Sequence, residues 1–448
     1  MRHILRELRP TLTLAVPITI GQLSQMLMGV TDSVMIGRTG IVPLAASSFG
    51  GNVFNVFYVL GIGLMLPVAV FVSHARGAGR IEECGEYLRH GLFLALGFGI
   101  LETAALGMIA GHLDWFNQPT EVLAVVNPYF LFIGASITPV LIYLALRQFA
   151  EALGKPWVPM IIMLLSVGLN ALGNWIFIYG HWGSPALGLA GAGLSTLISR
   201  VVGTVVLFEW VRRDAVVKAA LPKRWFAPLS SARLSEMLKL GLPASGMLGF
   251  ESAAFSAAAV MMGWLNAAAL AAHQIAISCV ATTFMFMLGI SMAAGMRVSA
   301  AAGAGERQRL RPIGYSALMA GAVIAGIFMV VYFIAGRALA SWFVNDATVV
   351  ALAAQLLAIA AIFQLGDGTQ VIGAALLRGL KDVKIPTAIT FVAYWVIAIG
   401  GAYLLGIRGP YGASGIWAAL ALGLGFAAVC LTWRFRQLTQ SAEHSSKT

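Results

Sequence analysis

Residues 17–37 read PITIGQLSQMLMGVTDSVMIG, and residues 243–263 read PASGMLGFESAAFSAAAVMMG. Each stretch opens on a proline and closes on a glycine, and the second begins 226 residues after the first. The register holds outward from both. Leu44-Ala45-Ala46 recurs as Leu270-Ala271-Ala272, Gly63 as Gly289, and Gly77-Ala78-Gly79 as Gly303-Ala304-Gly305. Each copy lies within a strongly apolar half. The chain therefore reads as two membrane-embedded bundles related by symmetry, the usual plan of a secondary transporter.

Composition agrees. Hydrophobic residues make up 59% and charged residues 10% of the 448, against about 25% charged in an ordinary soluble chain. Twelve apolar segments can be drawn, near 12–37, 43–73, 88–110, 124–146, 157–179, 186–211, 238–263, 270–297, 313–336, 347–372, 384–406 and 412–433. Each approaches the ~20 residues that a helix needs to cross the hydrocarbon core. Helices are required because lipid offers no partner to unpaired backbone groups. The expected fold is all-α and integral to the membrane: two six-helix lobes related by a pseudo-twofold axis along the membrane normal. The expected divisions are an N-lobe over 1–211, a cytoplasmic linker over 212–237, a C-lobe over 238–436 and a polar tail over 437–448, disordered from Ser441 onward.

The net charge of +11 raises the question of nucleic acid. Its distribution answers it. With the N-terminus inside, 25 of the 29 lysines and arginines fall in cytoplasmic segments, leaving Arg38, Arg337 and Arg408 outside and Arg200 within a span. That bias is a topological signal, so both termini are expected in the cytoplasm and no nucleic-acid partner is expected. The start Met1-Arg2-His3-Ile4-Leu5-Arg6 lacks a small-residue cleavage site after a short apolar core and reads as a retained first span. Cys84, Cys279 and Cys430 form no disulfide framework or zinc pattern, and the seven histidines form no ligand-spaced pair. No cofactor is expected.

The acids are not repeated. Asp32 aligns with Ala258, Glu251 aligns with Gln25, and Asp367 has no acidic counterpart. A charge at mid-bilayer costs at least ~2.5–3.5 kcal/mol, so these three are functional candidates ahead of simple helix glue. Gln22, Gln25, Gly29 and Asp32 share one helix face, which must look into a bundle or cavity. Asn170 and Asn174 also share a face, and Thr196 lies in the sixth span; their oxygens can coordinate a hard cation or hold a carboxylate by hydrogen bonds. Gln364 and Asp367 share a face of the tenth span. Desolvation penalises a charged carboxyl while a nearby cation or donor favours it, and an acid poised between these pulls can exchange a proton for another cation. Glu102 is a fourth buried acid with no evident role, pairing with Arg200 being one option, and His273 reads as an interface residue. Pro17, Pro67, Pro139 and Pro243 are expected to kink helices. Gln25, Met28, Phe54, Phe255, Met285, Phe286, Phe363 and Gln364 are candidates to line an adaptable substrate cavity.

At this point the residues resemble a known family. Leu14-Ala15-Val16-Pro17, Gln22, Gln25, the run Met28–Gly37, Asn170–Gly180, Gly191-Ala192-Gly193, Ala271–Ile275 and Gly366–Asp382 are together similar to the multidrug and toxic compound extrusion (MATE) transporters of the NorM-like type. The resemblance implies a central cleft, monomeric action, and export of small cationic or amphipathic compounds from a bacterial inner membrane, driven by inward Na⁺ or H⁺. It matches Glu251 and Asp367 to a C-lobe cation site, and Asp32, Asn170, Asn174 and Thr196 to an N-lobe site. Sodium is a candidate occupant of either. Two departures bear on the ion: Phe363 stands where some relatives carry tyrosine, and Asn174 where some carry an acid. The competing readings are a lipid-linked precursor flippase, which would need intramembrane basic residues, an integral-membrane transferase, which would need a His/Asp cluster, and a channel.

Overall fold

A computed structural model describes residues 2–444. Twelve helices are long and apolar enough to cross a membrane, and among the described residues there is no strand. In chain order they are α1 (Arg2–Gly37), α2 (Ile41–Gly77), α3 (Ile81–Ala110), α4 (Thr120–Ala152), α5 (Trp157–Tyr179), α6 (Leu189–Arg213), α7 (Ser231–Leu265), α8 (Ala267–Gly303), α9 (Arg307–Ser341), α10 (Ala347–Gly379), α11 (Lys384–Arg408) and α12 (Gly412–His444). Number and order are those of the sequence reading. Several helices outrun the apolar segments because the winding continues into their polar ends. α12 carries on through residues 437–444, where Arg311 Nε donates to Thr439 Oγ1 at 3.2 Å; positions 445–448 lie outside the described residues.

The repeat now has a physical reason. Ile36 and Met262, Ala46 and Ala272, and Phe54 and Val280 are three pairs at the 226-residue offset. The first member of each lies in one apolar core and the second in another. The repeated glycines do two further jobs. Gly79 and Gly305 hold φ at +72° and +74°, the left-handed turn that ends α2 and α8. Gly63 and Gly289 are points of close approach. A methyl on Gly63 would strike the backbone of Ser245, and one on Gly289 would strike Thr19. Thr19 and Ser245 are themselves 226 residues apart.

The chain divides into two compact units. One is Ile20–Ser245; the other joins the chain up to Thr19 with the chain from Gly246 onward. Both divisions fall inside a helix, two residues beyond Pro17 and Pro243, and not at the basic linker expected over 212–237. Part of that linker packs within its own unit: the Ala227 carbonyl accepts from Arg89 Nη1 at 2.5 Å, and Gly85 abuts Pro222.

Proline behaves in two ways. Pro17, Pro67 and Pro243 lie inside continuous helices. Pro139 interrupts its helix: α4 breaks at Ser136, next to the Ala135 carbonyl that a proline at 139 cannot bond, and winding restarts at Ile137.

Candidate functional site

In the Ile20–Ser245 unit, α1, α5 and α6 bring four of the expected residues together. Asn174 Nδ2 donates to Asp32 Oδ1 at 2.6 Å, and Thr196 Oγ1 lies 3.4 Å from Asp32 Oδ2. Asn170 Nδ2 donates to Thr196 Oγ1 at 3.3 Å, and its Oδ1 is 3.4 Å from Asn174 Nδ2. Local sequence sets this up. The i, i+4 spacing puts both amides on one face of α5, and both are fully buried. Ser195 Oγ donates to the Asn170 carbonyl at 2.8 Å, and Gly173 lets α6 approach closely enough for that contact. Asn174 Oδ1 has no hydrogen-bond partner. A carboxylate with one strong amide donor, a threonine hydroxyl beside its other oxygen and a spare amide oxygen nearby offers oxygen ligands that a proton or small cation can use.

Arg200, one turn beyond Thr196, is a neighbour of this cluster. Its Nη1 donates to Ser136 Oγ at 2.6 Å, and its guanidinium lies 4.9 Å over the Phe54 ring and 5.9 Å over that of Tyr58. The optional pairing with Glu102 does not form. Glu102 is buried beside Gly61 and Leu141, and its Oε2 has no partner. Gln25 donates to the Tyr58 hydroxyl, and Met28 and Phe54 are buried.

In the second unit, α7, α10 and α11 assemble the other acids. Asp367 is buried within electrostatic reach of Glu251, and Tyr394 of α11 stands near both. Asp367 Oδ1 and the Tyr394 hydroxyl make no hydrogen bond of standard geometry. Two carboxyls within electrostatic reach disfavour each other's ionised form, and a shared proton or a bound cation relieves that repulsion. Tyr394 lies in a stretch, Val392–Ile399, wound with wide i to i+5 turns, a distortion that often marks functional positions. Sequence reasoning noted the hydroxyl missing at Phe363 and did not see the one at Tyr394. The available signal was a tyrosine midway along an apolar span, since a buried tyrosine hydroxyl usually has a polar neighbour.

The remaining cavity candidates in this unit have mixed fates. Phe363 is in the packed interior, its ring 5.5 Å from Trp417 and 6.1 Å from Phe255. Gln364 is tied to Thr283 and, at 3.2 Å, to the Tyr332 hydroxyl. Met285 and Phe286 are half-buried, Phe286 packing 5.5 Å from Phe328. His273 is buried, its Nδ1 accepting from Trp417 Nε1 at 3.2 Å. Among the described residues no group of three or more His, Cys, Asp or Glu is placed to hold a metal ion.

Twelve spans in a repeated frame, with acids buried inside each unit, define a polytopic membrane protein of the secondary-transporter class. A family model described as MatE matches the chain twice, over residues 17–176 and 243–404, the second match starting at the proline that opens the second copy. The chain belongs to the MATE family and is NorM-like. It is 34% identical over 434 residues to "Probable multidrug resistance protein NorM" of Idiomarina loihiensis, covering 95% of this chain and 93% of that one. It is 35% identical over 445 residues to the protein of that name from Pseudomonas putida, covering 97% and 96%. Among solved structures, "Crystal structure of MATE in the bent conformation" superposes with a TM-score of 0.90 at 21% identity, covering all of both chains. "Outward-facing conformation of a multidrug resistance MATE family transporter of the MOP superfamily" gives 0.88 at 21% identity, covering 97% and 96%.

Proposed function

We propose that the protein is an ion-coupled antiporter that exports small cationic or amphipathic compounds, including drugs, by alternating access. The relatives named multidrug resistance proteins support the substrate class. The observation that carries the coupling is a pair of acids, buried Asp367 and half-buried Glu251, within electrostatic reach of each other beside Tyr394. Such a pair has a strong requirement for one positive charge, which a proton, a sodium ion or a cationic cargo each satisfies. Competition among these is what an antiporter needs. The Asp32 cluster provides a second, chemically different site for the same exchange.

The protein acts in this reading as a monomer in a bacterial inner membrane, with both termini in the cytoplasm, as the lysine and arginine distribution indicates. Inward ion movement supplies about 2.3 kcal/mol per charge per 100 mV, plus the concentration term. An ion that bound both states equally would shift nothing, so the acids must meet different surroundings as the molecule cycles.

The test is efflux of a fluorescent cation from proteoliposomes, with Na⁺ and pH gradients imposed one at a time. At least one gradient is expected to drive export. Absence of gradient-driven export, in protein that still binds the dye, would sink the antiport reading.

A further inference from the structure

In the Ile20–Ser245 unit, the end that carries the turn between α4 and α5 hides a group of polar side chains. Arg147 and Glu151 stand one turn apart on α4, 3% and 2% exposed, with Arg147 Nε donating to Glu151 Oε1 at 2.7 Å. Arg147 Nη1 donates to Gln22 Oε1 of α1 at 2.8 Å. Gln148, between them in sequence, is 2% exposed. Arg147 Nη2, Gln148 Oε1 and Glu151 Oε2 are each buried with no hydrogen-bond partner. Stability does not account for this arrangement. Burying two charges costs several kcal/mol per ion, and an apolar pair of similar volume is often as stable or more so. Three unpartnered polar atoms within five residues leave bonding capacity of the kind that internal water satisfies.

The group is continuous with the polar face that leads to Asp32. Gln25 follows Gln22 by one turn and donates to the Tyr58 hydroxyl. Tyr58 lies under the Arg200 guanidinium, and Arg200 is one turn along α6 from Thr196, a partner of Asp32. Around the far end, α4 adds Tyr143, which donates to the Pro159 carbonyl at 2.9 Å. The last turn of α2 adds His74 and Arg76, and Arg76 Nη1 donates to the Ala152 carbonyl at 3.0 Å. Lys155 and Asp214, 3.9 Å apart, are the charges just beyond.

We propose that Glu151 is the release station for protons taken up at Asp32. Water held by the spare atoms of Arg147, Gln148 and Glu151 carries the proton from the α1 stripe to the Glu151 carboxyl and on to the cytoplasm. Arg147 is a positioning residue that fixes the carboxyl and, through Gln22, the stripe. The balance is simple: Asp32 loses one proton for each that leaves, Glu151 gains and loses one in turn, and no other bond changes. This rests on the antiport reading in its proton-driven form.

The test uses the full chain in proteoliposomes and compares pH-driven dye efflux with dye-for-dye exchange in the absence of any gradient. Exchange needs the conformational cycle but no net proton release. Glu151→Gln is expected to cut pH-driven efflux at least tenfold and flatten its pH profile, while exchange and dye binding stay at wild-type levels. Gln22→Leu, which leaves the ion pair intact, is expected to slow pH-driven efflux several-fold with exchange preserved, and it carries the test if Glu151→Gln does not reach the membrane. Wild-type pH-driven efflux and pH profile in the variants overturn the release station, and so does loss of both activities together, which marks a structural role. A wild-type protein driven by Na⁺ alone also overturns it while leaving antiport standing. A wild-type protein driven by neither gradient overturns antiport itself.

Discussion

Adding one methyl at Gly63 isolates the steric reason for the repeat. At Gly63 the added carbon meets the nitrogen and Cα of Ser245, backbone atoms that no rotamer change can remove. Forcing a methylene into a packed contact costs about 1–3 kcal/mol. Replacing glycine by alanine in mid-helix also gains about 1 kcal/mol of helix propensity. Gly97→Ala measures that gain alone, because Gly97 lies inside α3 with nothing within 4 Å of a new Cβ. The difference between the two variants therefore returns the steric cost, about 1–3 kcal/mol. Gly289→Ala should fall near Gly63→Ala, since it meets the Cα of Thr19 at 3.0 Å as well as its side chain. The assay is reversible unfolding in lipid nanodiscs, with efflux rates measured alongside. Equal stability of Gly63→Ala and Gly97→Ala would refute the claim that close helix approach is what preserves these glycines.

Other expectations follow from the two acid sites. Glu251→Gln and Asp367→Asn should each reduce ion-driven efflux by tenfold or more with the protein still folded, and the double variant should be no worse than the weaker single, because the pair acts as a unit; additive losses in proteoliposomes would contradict this. Tyr394→Phe removes one hydroxyl worth about 0.5–1.5 kcal/mol, so the half-saturating ion concentration should move roughly two- to twelvefold in dye-efflux titrations, and an unchanged value would remove Tyr394 from the site. Asn174→Leu deletes the shortest donor to Asp32; it should alter ion dependence while leaving Glu251-dependent dye binding intact, which fluorescence titration can check.

Much of this molecule was legible in its residues because the membrane imposes so few solutions. Twelve apolar runs had to become twelve helices, and the 226-residue offset marked the buried and close-packed positions in both halves. Helical periodicity put Asp32 on one polar face and Asn170 and Asn174 on another, and the family resemblance implied that these three and Thr196 share a site, which the fold brings into one cluster. Three things were hidden. Tyr394 comes from an otherwise apolar span, so only the fold shows it beside the acids. Arg147 looked like one more cytoplasmic cation, because its burial depends on a helix that runs on past the apolar segment. Phe363 and Gln364 looked like cavity lining, yet packing against Trp417 and Tyr332 fills their space, and such partners are far away in sequence.

The placement of the divisions at Thr19 and Ser245 has a consequence for how the halves depend on each other. A chain severed at the basic linker would yield two fragments, each beginning with a helical segment that belongs to the other fragment's body. Neither fragment then holds the whole of a compact unit, and the halves are expected to mature together. Reciprocal exchange of leading segments makes the duplication a mutual obligation, and a cut polypeptide should regain activity only when both pieces share a membrane.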